Sequence, residues 1–451
     1  MPNKKLIKNA TIVNEGEIFI GSVLIEDEYI KKIYREAEPN IRIKNTIDAT
    51  GLYLLPGMID DQVHFRDPGL THKGDLFTES RAAVAGGITS FMEMPNTNPR
   101  TLTQELLEDK FKLAVEKSLA NYSFYMGTSN DNLEEVLKTN PEDVCGIKIF
   151  LGASTGNMLV DNQDTIEKIL DYSAKTGLIV TTHCEHEPSI IANLAKFKEQ
   201  YGDDIKIEHH PLIRDDSVCY KSSFWIVGLA RKHHANLHIL HLSTHKELKL
   251  LDSGNVSEKR ITAEVCVHHL WFSDEDYAEK GNFIKWNPAI KSLKDRDALR
   301  DAVNSNLIDI IATDHAPHTL AEKNGTDYFK CASGGPLVQH ALIAVLELSH
   351  QGVFDLTTVV EKTSHNVATR FKIDRRGFIR PGYYADMVLV DLNKPWTVKP
   401  SNILYKCAWS PFTGTTFQSQ VIYTFINGHV AYHDDNFWDT PKAMRLKFNR
   451  V

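Results

Sequence analysis

The sequence predicts an α/β protein: a (β/α)8 barrel of the TIM type, joined to a small β-sandwich domain built from both chain ends. Three observations carry that prediction. Between residues 57 and 377, eight short apolar runs alternate with helical stretches. Several of these runs end on a residue that can hold a metal ion. Outside them, the head and tail of the chain alternate apolar and polar residues in the manner of half-buried strands.

At the head, LIKNATIVN, EIFIGSVLIED and YIKKIY carry the alternation. At the tail it recurs in ADMVLVDL and QVIYTFINGHVAY, where Asn427-Gly428 stands at the position of a two-residue hairpin turn. Neither end has enough strands for a stable sheet alone. The expected division is therefore 1–56 and 378–451 as two halves of one β domain, with 57–377 between them. The chain would leave at Pro56-Gly57 and return near Gly377.

The eight central runs are MIDDQVHF, ITSFMEMP, NYSFYMG, GIKIFL, LIVTTHC, LHILHLS, ITAEVCVHH and IDIIATDH. Continuous apolar runs of this length read as strands buried on both faces of a parallel sheet. TQELLEDKFKLAVEKSLA and DTIEKILDYSAKTG separate some of them as helices, the latter ending on Gly. Eight such units make a barrel. The alternative is an open doubly wound sheet, but no Gly-rich nucleotide loop follows the first strand.

Bulk composition narrows the function classes. The 451 residues are 42% hydrophobic with 17 prolines, as in globular enzymes. A net charge of −8 with dispersed Lys and Arg argues against nucleic acid or an anionic membrane as partner. No stretch has the apolar core of a signal peptide or the length of a membrane span. Six scattered cysteines without a CxxC pair suit reduced thiols and a cytoplasmic setting. Cys184, beside His183, is a candidate nucleophile, although a buried inert thiol is the commoner reading.

Strand ends are where barrels place their chemistry. There the chain has His64, His183, His241 and Asp314, with Lys148 inside GIKIF. One histidine after an apolar run is usually a packed core residue, but the repetition points to a metal-dependent barrel hydrolase. Imidazoles suit zinc, and Asp314 could touch the metal or accept a proton from water. In GIKIFL, Lys148 points opposite to Ile147 and Ile149. An inward lysine is costly unless paired. It either meets a carboxylate or, as a neutral amine, reacts with carbon dioxide to give an N-carboxylysine that can bridge two cations.

These segments resemble dihydroorotases of the cyclic amidohydrolase group, relatives of hydantoinases and allantoinases. The resemblance runs through PGMIDDQVHFRDPG, GGITSFMEMPNTNP, GIKIFLGASTGNML, THCEHE, LHILHLST, AEVCVHHL, KWNPAI, ATDHAPH and SHNVATRF. It implies that His64, His183 and His241 ligate Zn2+, one or two ions per chain. It further implies that Lys148 is N-carboxylated and bridging, and that Asp314 is both ligand and catalytic acid/base. Arg66, Asn96, Asn287 and His318 would contact substrate. The implied reaction is reversible hydrolysis of dihydroorotate to N-carbamoyl-L-aspartate, in pyrimidine synthesis. A homodimer and an aspartate transcarbamoylase partner are also compatible with it.

The substrate carries a ring carboxylate, and Arg66 offers the planar fork that pairs with one. The plainer role for Arg66 is a salt bridge to Asp67 or Asp75. Gly334-Gly335 could let backbone approach the ring or simply make a turn. One position departs from the pattern: Gln62 stands where the family usually has the first histidine of His-x-His. An amide oxygen is the weaker donor for zinc. Gln62 is therefore a candidate ligand of a looser metal site, and the alternatives are a hydantoinase or allantoinase, or a catalytically silent scaffold subunit.

Overall fold

The apolar runs of the middle region pair in chain order. In the computed structural model, which describes residues 3–35, 39, 41–152, 158–325, 327–440 and 442–450, Met58–Val63 lies parallel to Ile88–Glu93, and that strand parallel to Asn121–Phe124. After Tyr125 the chain continues as Met126–Gly127, which pairs with Gly146–Phe150. Ile179–His183, Leu237–Ile239, Ile261–Cys266 and Ile310–Ala312 follow, each parallel to the last. Beyond that final strand, His315 bridges in parallel to Val63, and its carbonyl accepts the His64 N–H at 2.7 Å. The last parallel segment thus meets the first. Part of the GIKIFLGASTGNML motif, residues 153–157, lies outside the described residues.

These strands are buried along nearly their whole length, polar residues included. Polar groups so placed need partners. Asp60 accepts the Thr313 hydroxyl at 2.6 Å, and Glu93 pairs with Lys110 at 2.9 Å.

Helices cross between the strands where capping chemistry begins and ends them. Asp75 caps Leu76–Ala85 by accepting from Thr78 N, and the Thr78 hydroxyl accepts in return from Asp75 N. Thr103 caps Gln104–Lys117. Asn162 caps Gln163–Thr176, which stops at Gly177 in the left-handed region, φ 74°. Among the described residues no helix is long and apolar enough to cross a membrane.

The two chain ends share one nine-stranded sheet. Its seam is Tyr53–Pro56 running antiparallel to Met387–Asp391, with Lys4–Asn14 on one side and Gln420–Ile426 on the other. Asn427 (φ 48°) and Gly428 (φ 75°) make the tight turn into His429–His433. A Cβ at Gly428 would come 2.2 Å from the Asp27 carbonyl oxygen, so glycine is required there. Residues 442–450 leave this sheet and run beside the third parallel strand, where Leu446 N–H donates to Tyr122 O at 2.9 Å.

Candidate active site

Every strand-end residue singled out in the sequence lies within one region. His64 and Arg66 follow Met58–Val63, and His183 is the last residue of Ile179–His183. His241 and Asp314 each stand two residues past their strands. His64 Nε2 lies 3.1 Å from Asp314 Oδ1, and His183 Nδ1 lies 2.9 Å from His241 Nε2. Arg66, His241 and Asp314 all have positive φ, at 69°, 39° and 49°. Non-glycine residues held there store strain, which collects at functional sites.

Lys148 is 1% exposed, its ammonium nitrogen 4.5 Å from the centroid of the Phe150 ring. Among the described residues no carboxylate forms a salt bridge with it. Desolvation pulls its pKa down to about 7, against the opposing pull of Asp314. A neutral amine is therefore accessible near neutral pH.

Burial also lowers the pKa of His64 and His183, and that of His241 well below the imidazole norm. Each ring is then neutral, the form that ligates metal. Neighbours fix the rings. Asn96 Oδ1 meets His64 Nδ1 at 2.7 Å, which leaves Nε2 toward Asp314. Glu185, itself paired with Arg214, meets His183 Nε2 at 3.0 Å. Glu264 accepts the His241 backbone N–H at 3.1 Å, and His241 Nδ1 is buried with no hydrogen-bond partner among the described residues. Oriented neutral imidazoles, a carboxylate and an orphaned ring nitrogen make a donor set that fits a divalent cation.

Gln62 shares the face of His64. Its amide nitrogen donates to Asp314 Oδ1 at 3.1 Å, and its carbonyl oxygen faces the Cys266 sulfur at 3.7 Å. Because a carboxylate only accepts, the nitrogen must be the end that faces Asp314.

Arg66 is 5% exposed. It donates to Pro317 O at 3.1 Å and lies 3.2 Å from His318 Nε2. The plainer salt bridges are not made: Asp67 pairs with Lys117, and Asp75 with Lys406. Among the described residues no carboxylate reaches Arg66 within ion-pair distance. His318 also touches Lys73 at 3.1 Å. Asn287 is half-buried, and its shielded Oδ1 has no hydrogen-bond partner among the described residues. Gly335 packs where a Cβ would come 2.6 Å from the Trp286 ring, and Gly334 where one would come 2.7 Å from Ala316 O. Close packing beside the Asp314 loop explains both glycines. The Cys184 thiol is buried and pushed up to about 11, which makes it a poor nucleophile.

Sequence reasoning passes over several supporting residues. Glu185 stands two after His183 but beyond the end of the strand, where strand parity no longer marks its direction. Glu264 could have been found by the alternation in ITAEVC. His238, 3.3 Å from both Asp61 and Glu264, carries no sequence signal beyond its type.

Comparison with known proteins assigns the family. The model of the amidohydrolase family matches residues 53–431. A dihydroorotase of Pyrococcus abyssi is 32% identical over 445 residues, 98% of each chain. An allantoinase of Solibacter usitatus is 29% identical over 436 residues, 95% of this chain and 94% of that one. Among solved structures, the L-hydantoinase (dihydropyrimidinase) of Arthrobacter aurescens superposes with a TM-score of 0.92 at 23% identity, over 99% of this chain and all of that one. With a family match across most of its length, the chain belongs to the amidohydrolase family and is a cyclic amide hydrolase.

Proposed function

We propose that the chain is a zinc-dependent dihydroorotase that interconverts dihydroorotate and N-carbamoyl-L-aspartate. The observation that carries this reading is Arg66, a buried guanidinium with no carboxylate within ion-pair distance among the described residues. Leaving such a charge unpaired is costly unless a ligand supplies the anion. The ring carboxylate of dihydroorotate does so, whereas hydantoins and allantoin have none. The curated dihydroorotase relatives support the same choice. The parallel strands close into a (β/α)8 barrel of residues 57–377 in this reading, with 1–56 and 378–451 as its β domain. The enzyme works in the cytoplasm.

His64, Lys148, His183, His241 and Asp314 would hold the metal, with Gln62 at its edge and Lys148 N-carboxylated. A bound zinc supplies Lewis-acid polarisation of the ring amide carbonyl and acidifies water. Asp314 takes the proton of the attacking water and delivers it to the leaving ring nitrogen. Gln62 donates to its Oδ1, which fixes the carboxylate for that transfer, and His64 Nε2 stands 3.1 Å from the same oxygen. Arg66 and His318 bind the substrate carboxylate, and Asn96 and Asn287 place the ring.

The test is Arg66→Ala, assayed on dihydroorotate and on an uncharged hydantoin. The kcat/KM for dihydroorotate should fall by about 2–5 kcal/mol of transition-state stabilisation, the scale of a buried charge pair. Any residual hydantoin turnover should be spared. Equal loss on both substrates would show Arg66 to be structural.

A further inference from the structure

A second group of metal-ligating side chains stands beside the first and takes no part in it. Thr262, Glu264 and Cys266 share one face of their strand, two residues apart. Thr262 and Glu264 both contact His238, so the face is the inner one and the Cys266 sulfur lies on it. The chain then turns into the short helix Val267–Trp271, which brings His268 and His269 back to that sulfur. One donor atom from each of Cys266, His268 and His269 lies within 4.8 Å of the others, and all three residues are buried.

Hydrogen bonding engages the Cys266 thiol, which faces Gln62 Oε1 at 3.7 Å and Glu264 Oε1 at 3.9 Å, but leaves ring nitrogens of the two histidines open. His269 Nε2 lies 3.2 Å from the Pro288 carbonyl, so Nε2 carries the proton and Nδ1 is a bare lone pair. That Nδ1 is shielded from solvent and has no hydrogen-bond partner among the described residues. Both ring nitrogens of His268, beside the Thr313 backbone, are buried without a hydrogen bond of good geometry. Stacking on Trp286, with centroids 4.4 Å apart and planes 14° from parallel, holds the ring in place. The Gln62 carbonyl oxygen adds a donor 3.7 Å from the sulfur, its direction fixed by the amide bond to Asp314.

We propose that Cys266, His268 and His269 form a second cation site, with Gln62 Oε1 as fourth donor, and that it takes a borderline-soft divalent ion of the zinc class. One sulfur and two imidazoles are the donors that ion prefers. Donor atoms within 4.8 Å of one another would draw inward to meet bond lengths of about 2.3 Å to sulfur and 2.0–2.1 Å to nitrogen. Binding displaces the thiol proton to solvent. The site is separate from His64, Lys148, His183, His241 and Asp314, yet it touches them through Gln62. An ion there would hold the amide that in turn holds Asp314.

Cobalt titration of the metal-stripped full chain tests this, because thiolate ligation gives a near-ultraviolet charge-transfer band that nitrogen and oxygen donors do not. Wild type and Cys184→Ser should both develop the band. Cys266→Ser should lose it and bind one equivalent less. His269→Gln should weaken that equivalent at least tenfold, and it carries the test if Cys266→Ser does not fold. His183→Ala should abolish turnover but keep the band, which separates this site from the hydrolytic one. Absence of the band in saturated wild type, its survival in Cys266→Ser, or its loss in Cys184→Ser would overturn the assignment.

Discussion

Lys148 shows how one residue's chemistry follows from its place on a strand. Burial favours the neutral amine, and Asp314 is the charged group that most opposes this. A carboxylated Lys148 would supply two oxygens to the metal site. Lys148→Ala should then lose bound zinc and turnover together, read by elemental analysis and assay, with partial rescue by millimolar acetate or propionate. Full metal retention in the variant would remove its ligand role. At this scale the sequence announces types and positions but not partners. His64, His183, His241 and Asp314 are legible because each closes an apolar run. The orientation of His64 by Asn96, and of His183 by Glu185 with Arg214, is not. Those contacts join residues 32 and 29 positions apart across separate loops, where no periodicity reaches.

Elements are set by caps and by what their faces bury. The helices expected over 103–120 and 164–177 appear as Gln104–Lys117 and Gln163–Thr176 because Thr103 and Asn162 cap them, and because Ser118 turns extended. Lys110 is the surprise on the first. On a charged helix it reads as solvent-facing, yet it is 1% exposed against the fully buried Glu93 and also donates to Met94 O at 3.1 Å. Desolvation pushes the Glu93 carboxyl up, and Lys110 pulls it back. Lys110→Met should cost about 3–5 kcal/mol in urea unfolding, because the remaining carboxylate has no counter-charge. Glu93→Leu combined with Lys110→Met should recover much of that loss. A single variant as stable as wild type would mean that Glu93 is already protonated.

For the whole molecule, the ends of the chain were legible as strands joining in one β domain, but not in the strand order of the one sheet they share or in the returning tail. The seam of Tyr53–Pro56 with Met387–Asp391 joins residues over 300 apart, and only the shortage of strands at each end hints at it. Nothing in the sequence marks Arg450, whose guanidinium donates to the carbonyls of Pro141, Val144, Cys145 and Phe371. Arg450→Ala should destabilise the fold by about 3 kcal/mol, given the strength of hydrogen bonds to charged groups, as measured by denaturant unfolding. An unchanged midpoint would show the tail to be ornamental. The buried guanidinium of Arg66 beside the strand ends, with no ion pair among the described residues, remains the feature on which the functional account depends. Its most direct test is the turnover of dihydroorotate, hydantoin and allantoin by the full chain at one fixed zinc concentration. The account predicts a kcat/KM for dihydroorotate at least about a hundredfold above the other two, since a site built for a carboxylate rejects ligands lacking one. Comparable or faster turnover of hydantoin or allantoin, or no turnover of any of the three by zinc-loaded protein, would contradict it.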